Sequence, residues 1–207
     1  MKQDTLIMLA EGRMSKTLLR LCLPAVAAMA VNGIYNVVDA FFIGLTGDTG
    51  AIGAISVAFP LFVVVTALGI FLGVGVSSYI SINLGAGNMQ KATDAAGTAV
   101  IFSVVLGLIA TAVGFLFMRP MLYALGARDV IMPHATAYTA WILYGNLFAI
   151  LNTTLAGIVR AEGNTIYPTI ALLAGTLLNI LLDPVFIFIA GLGIQGAAIA
   201  TLISYVV

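Results

Sequence analysis

Five apolar stretches of twenty or more residues follow one another along this chain, at about 18–45, 57–84, 95–117, 135–159 and 167–190. A helix needs about 20 apolar residues to cross the roughly 30 Å hydrocarbon core of a bilayer. Each stretch qualifies. The gaps between them are short and hold turn formers: Thr46-Gly47-Asp48, Gly85-Ala86-Gly87-Asn88, Gly126-Ala127-Arg128-Asp129 and Glu162-Gly163-Asn164. Only 8% of the residues are charged, against about 25% in a soluble domain. So few charges cannot furnish a water-facing surface, and a mean hydropathy of +1.16 agrees. The expected fold class is all-α, a polytopic transmembrane helical bundle with the lipid bilayer as solvent. A sixth stretch opens near Gln195 and runs to Val207. At 1.5 Å per residue it covers about 18 Å of the core. The spacing predicts six helices with the sixth truncated, and a sequence that is a fragment.

The basic residues set the expected orientation. With the N-terminus inside, Lys2, Arg13, Lys16, Arg20, Lys91 and Arg160 are cytoplasmic, and Arg119 and Arg128 are outside. The positive-inside rule favours that sidedness. The net charge is zero, and no basic patch points to nucleic acid. The single cysteine, Cys22, excludes an intramolecular disulfide framework and reads as a small packing residue. The first apolar run is too long for the h-region of a signal peptide, and Asn and Asp interrupt it. His134 follows Pro133 at an outer helix start, where no sequence neighbour pairs with it, and reads as a surface residue. The glycines, including Gly69, Gly73, Gly75, Gly107, Gly114 and Gly175, read as close-packing positions.

Two acids fall inside apolar stretches, Asp39 in helix one and Asp183 in helix five. A charge near the bilayer centre costs about 2.5–3.5 kcal/mol on insertion scales, so such residues usually face a bundle interior or a wet cavity. Counting at 1.5 Å per residue places Asp39, Asp183 and Thr201 within about 3 Å of one another in depth. Asn32, Asn36 and Asp39 stand at i, i+4 and i+7 and share a helix face; Asn179 precedes Asp183 by four. Helix four adds Tyr138, Asn146 and Asn152. Pro184 removes a backbone donor and leaves the Ile180 carbonyl without its usual partner. Pro24 is expected to kink helix one. Pro24 and Pro184 are thus the candidate hinges. Carboxylates, amide oxygens, a hydroxyl and a free carbonyl are hard oxygen ligands, suited to Na⁺ or H⁺ and not to a soft metal. The expected cation-coupling residues are Asp39, Asn179, Asp183 and Thr201, with Asn32, Asn36, Tyr138 and Asn152 as the supporting polar network. No cofactor beyond the coupling ion is expected.

Four segments together resemble the MATE (multidrug and toxic compound extrusion) family in its prokaryotic form. They are Asn32-Gly33-Ile34-Tyr35-Asn36-Val37-Val38-Asp39 with Phe42-Ile43-Gly44; Asn83-Leu84-Gly85-Ala86-Gly87-Asn88 with Lys91-Ala92; Arg160-Ala161-Glu162-Gly163-Asn164 with Pro168; and Leu178 to Pro184 followed by Gly193 to Thr201. The resemblance implies that residues 1–207 are the N-terminal lobe of a two-lobe, twelve-helix transporter whose second lobe is absent here. It implies a cation site at Asp39, Asn179, Asp183 and Thr201, binding at which bends helix one. It also implies antiport of drugs and other amphipathic organic cations across the cytoplasmic membrane.

Three other readings compete. A lipid or lipid-linked oligosaccharide flippase of the same superfamily would line its cavity with Arg or Lys, and none of the eight basic residues here lies in a helix interior. An intramembrane aspartyl protease would use two aspartates, but no Gly-x-Gly-Asp surrounds either one. The chain is therefore not expected to be an enzyme. A non-transporting small membrane protein is the remaining alternative.

Overall fold

The computed structural model describes residues 37–206 together with Leu23, Val26, Ala30, Val31, Gly33 and Ile34. Pro24, Asn32 and Asn36, and the packing reading of Cys22, lie outside the described residues. Six helices are present among the described residues, and no strand. Helix α1 includes residues 37–44, and the described positions before them are helical too. Then follow α2 (Thr49–Gly85), α3 (Met89–Ala124), α4 (Ile131–Ala161), α5 (Ile166–Pro184) and α6 (Ile194–Val206); a π-helical turn (Val185–Ile189) continues α5. Successive helices are joined by short turns and so alternate in direction. One end of the bundle carries the α1–α2, α3–α4 and α5–α6 turns, here called the first end. The second end carries the α2–α3 and α4–α5 turns.

Four spans are long and apolar enough to cross a membrane: α2, α3, α4, and α5 with its π turn. Helices α2 and α3 outrun the apolar windows that announce them, at 37 and 36 residues. The first turn of α2 is held by a polar cap. Asp48 stands at the N-cap of α2, and its Oδ1 accepts from the amides of Gly50 (2.9 Å) and Ala51 (3.2 Å). Helix α3 also runs past Arg119 to Ala124, so that residue is helical, contrary to the expectation that no basic side chain lies inside a helix; it is exposed. Gly87 and Gly126 close α2 and α3 with φ of +77° and +107°, a backbone conformation that a Cβ penalises. Past Gly126, the Ala127 amide reaches back to the Leu122 carbonyl at 2.9 Å.

Outside and inside are inverted relative to a soluble protein. Phe71, Leu116 and Ile189 are more than 70% exposed, while Ser103, Asn146, Thr154, Asn179 and Asp183 are buried. Lipid tails are as apolar as leucine, so helix contacts depend on close approach, which small residues permit. Gly69 and Gly73 of α2 meet Thr153 and Gly157 of α4; a Cβ at Gly73 would stand 2.8 Å from the Thr153 carbonyl oxygen. Gly107 and Gly114 receive Leu147 and Leu143. Gly75, grouped with these by sequence, is instead in open space, because it points away from α4. At the first end, Ile43, Ala54, Leu122, Ala135, Ile187 and Ala197 form one buried apolar cluster drawn from all six helices.

His134 is half-exposed and has a partner that its sequence neighbours do not show. Its Nε2 lies 3.5 Å from Asp48 Oδ2, with both side chains between 35% and 43% exposed, so the α4 start is tied to the α1–α2 turn. Asp48→Ala is expected to cost about 1–2 kcal/mol, mostly through the lost cap. His134→Ala should cost under about 1 kcal/mol, because a half-exposed ion pair contributes little. Thermal unfolding of the two variants in detergent tests the order; a larger loss from His134→Ala contradicts it.

Candidate functional site

The geometry of the candidate site begins with Pro184. Its ring lacks the N–H that would bond the Ile180 carbonyl. The helix first tightens, the Val185 amide bonding the Leu182 carbonyl three residues back, and then widens, the Ala190 amide reaching the Val185 carbonyl at 2.8 Å, five residues back. Turns of this kind inside helices are frequent at functional sites. The widened turn is also where α6 docks. A Cβ on Gly196 would stand 2.6 Å from the Phe186 carbonyl carbon, and one on Gly175 would stand 2.8 Å from the Ser204 carbonyl oxygen. These two contacts pin α5 to α6 on either side of a polar contact. There the Asn179 Nδ2 donates to the Thr201 Oγ1 at 3.4 Å, both side chains buried.

The structure brings most of the sequence-derived residues into one buried region. Asp183 is fully buried one turn from Asn179 on the same face of α5. Asp39 is 6% exposed. It borders a cavity of about 420 Å³ together with Tyr138 of α4 and Thr201 of α6; Phe59 and Phe62 of α2 complete the wall. Thr201 and Phe62 also border a second cavity of about 170 Å³, which Asn179 lines. The depth estimate that put Asp39 and Thr201 at one level therefore corresponds to a shared cavity wall. Asn152 lines the second cavity too; it is exposed, and its Nδ2 donates to the Tyr205 carbonyl at a long 3.5 Å. Asn32, Asn36 and Pro24 lie outside the described residues.

Two buried polar residues, Thr176 and Thr139, escape the sequence reading of the site, and a third, Asn146, is placed on helix four but left out of the supporting network. Thr176 precedes Asn179 by three and Asp183 by seven, a spacing that puts all three on one face of α5, and it is 6% exposed. Thr139 and Asn146 stand seven apart on α4, 2% and 1% exposed. Spacing against a known site residue would have found Thr176. Thr139 has no such reference, since its neighbour Tyr138 carries the obvious polar signal.

The chemistry follows from which atoms lack partners. Asp39 Oδ1, Asn179 Oδ1 and both carboxylate oxygens of Asp183 are buried with no hydrogen-bond partner among the described residues. A buried polar atom left unpaired costs about 1–3 kcal/mol, and more when charged. All four are acceptors, so what they call for is positive charge or a proton. Oxygen donors at this depth fit a hard monovalent cation or H⁺. No group of three His, Cys, Asp or Glu side chains gathers among the described residues.

A family model described as MatE matches residues 24–185. The chain is 31% identical over 207 residues to the multidrug export protein MepA of Staphylococcus saprophyticus, covering all of this chain and 46% of that protein. Among solved structures, a MOP superfamily transporter from Pyrococcus furiosus superposes with a TM-score of 0.90 at 32% identity, over 97% of this chain and 44% of that one. The reversed polarity of that transporter's binding pocket suggests for it a different function. A MATE transporter in the straight conformation gives a TM-score of 0.89 at 33% identity, over 97% and 44% of the two chains. The chain spans about half the length of the relatives it matches.

Proposed function

Because this chain belongs to the MATE family, we propose that it is the N-terminal six-helix lobe of a cation-coupled exporter. The exporter sits in the cytoplasmic membrane with its N-terminus inside. It moves drugs and other amphipathic organic cations outward in exchange for Na⁺ or H⁺. The observation that carries the coupling half of this reading is the set of unpartnered, buried oxygen acceptors on Asp39, Asn179 and Asp183, joined through Asn179 to Thr201. Insertion of two carboxylates into the membrane interior is costly, and each carboxylate gains on meeting a cation or proton.

Coupling then has a physical form. Asp39 belongs to α1, and Asn179, Asp183 and Thr201 belong to the α5–α6 pair. A positive charge bound between them draws α1 toward that pair; its release lets the two carboxylates repel. A ligand shifts a conformational equilibrium only by its differential affinity for the two states, and a helix that brings one of two carboxylates supplies such a difference. Tyr138 borders the cavity beside Asp39 and supplies a hydroxyl there. Asn152, at the bundle surface, supports the site from the α6 end through the Tyr205 carbonyl. The hinge role falls to the widened turn after Pro184.

Cargo follows from the lining. Among the described residues neither cavity is lined by Lys or Arg, which disfavours a phosphate-bearing lipid. Aromatic rings and a carboxylate suit an organic cation. The test is transport by the full-length protein in liposomes loaded with a fluorescent organic cation such as ethidium. An imposed Na⁺ or pH gradient is expected to accelerate efflux at least tenfold over the same vesicles with the gradient collapsed. Equal rates with and without both gradients would overturn the reading.

A further inference from the structure

Helix α3 is 36 residues long, about 54 Å at 1.5 Å per residue. The hydrocarbon core is about 30 Å thick, so α3 outruns it and its ends stand among lipid headgroups. Arg119 lies in the last two turns of α3, at the first end of the bundle. Arg119 and Tyr123 are at i and i+4, so they share a helix face, and both are exposed.

The Arg128 side chain folds back over the Tyr123 ring, with its guanidinium carbon 3.6 Å from the ring centroid. Its Nη1 donates to the Tyr123 and Ala127 carbonyls, which closes the C-terminus of α3. The remaining guanidinium donors are left for an outside acceptor. Arg119 makes no hydrogen bond or ion pair among the described residues. Asp129 follows Arg128 directly, yet among the described residues the ion pair at this end is the one between Asp48 and His134. Two guanidinium groups without a carboxylate partner thus flank one tyrosine. Toward the membrane middle the same side of α3 is apolar. Leu116 is 74% exposed, and the Phe115 ring meets the exposed Tyr144 ring of α4 at 5.0 Å.

We propose that Arg119, Tyr123 and Arg128 bind the phosphodiester headgroup of an anionic bilayer lipid such as phosphatidylglycerol, with an acyl chain lying over Leu116 and the Phe115–Tyr144 contact. Charge complementarity identifies the occupant. Guanidinium groups present forked donors to phosphate oxygens, and basic groups at headgroup level attract anionic lipids. Tyrosine is at home at that level, with its ring toward the acyl chains and its hydroxyl toward water. The lipid is a bound component of the outer surface and not cargo, since none of the three residues lines either cavity.

The experiment is a lipid titration of the full-length protein, delipidated in detergent, with phosphatidylglycerol and separately with phosphatidylcholine. Native mass spectrometry counts the lipids bound. The parent is expected to take its first phosphatidylglycerol at least fivefold more tightly than its first phosphatidylcholine. Arg119→Gln breaks no bond among the described residues, so the fold is kept; the preference is expected to fall at least threefold, with phosphatidylcholine binding unchanged. Arg128→Gln also removes the α3 cap, so its unfolding temperature is read beside its lipid preference. Loss of stability with the preference intact would leave Arg128 a cap alone and overturn its place in the site. Lys91→Gln, an exposed charge at the second end, is the control and is expected to keep the parent's preference. Equal losses from Lys91→Gln and Arg119→Gln would mean diffuse attraction to any basic residue, and that overturns the site. An unchanged preference in Arg119→Gln overturns it as well, the result expected if the second lobe or a second copy covers this face.

Discussion

Asp183→Asn in the full-length protein is expected to lower cation-driven efflux at least a hundredfold while the protein stays folded and in the membrane, and Asp39→Asn is expected to do the same. The change is nearly isosteric. Both Asp183 oxygens lack a hydrogen-bond partner among the described residues, so the amide breaks no bond described there. What it removes is the negative charge that a cation or proton would neutralise. A hundredfold loss corresponds to about 2.7 kcal/mol, at 1.36 kcal/mol per tenfold. That is within reach of a buried carboxylate meeting a bound cation at close range. Stability should move the other way. A buried charge near the bilayer centre costs about 2.5–3.5 kcal/mol on insertion, and the amide is cheaper to insert, so the unfolding temperature holds or rises. Efflux and unfolding measured side by side separate the two roles. Were the aspartates only struts between helices, both variants would unfold earlier and efflux would follow the amount of folded protein. Undiminished efflux in both variants rules out the coupling site.

The difference between these outcomes was partly visible in the sequence. Two acids in long apolar runs are anomalous whatever the fold, because the bilayer makes charge expensive everywhere along a helix. Helical periodicity then attached Asn179 to Asp183, and counting from the turns matched the depth of Thr201. Those arguments need only local geometry and the thickness of the hydrocarbon core. Arrangement across helices obeys other rules. Tyr138 and Asn152 look alike on α4, yet one is buried against the larger cavity and the other lies exposed at the smaller, since the side on which α2 and α6 pack is not encoded in the α4 pattern. His134 looks isolated in the sequence because its partner Asp48 lies two helices earlier, at the start of α2. Pro184 reads as a broken bond, and the sequence does not announce the π-helical turn that follows it or the approach of Gly196 to the Phe186 carbonyl there. Turn positions were legible because Gly, Asn and Asp act locally. The glycines inside helices were legible only as a class. Their neighbours divide them into contacts and bystanders, and that division has a measurable consequence.

Gly157→Ala is expected to destabilise the bundle by more than about 3 kcal/mol, at the upper end of the usual cost of overpacking. A Cβ there would overlap the Gly73 carbonyl oxygen and stand 2.9 Å from the Gly73 carbonyl carbon and Cα. Those atoms are backbone in the middle of α2 and cannot rotate away as a side chain would. Relief requires α2 and α4 to separate. Gly69 and Gly73 lie against Thr153 on the same seam, so separation also opens the contacts one turn away. In a bilayer the lost packing is not recovered by hydrophobic burial, because lipid already surrounds the helices. Gly75→Ala, on the facing helix α2, makes the control. A Cβ there meets nothing within 4 Å, and removing a glycine from a helix interior is worth up to about 1 kcal/mol. Size-exclusion profiles and thermal unfolding of detergent-solubilised protein are the measurements. Gly157→Ala is expected to aggregate or unfold at least 10 °C earlier, and Gly75→Ala to match or exceed the parent. Equal behaviour of the two variants would mean that α2 and α4 do not approach backbone to backbone at Gly73 and Gly157.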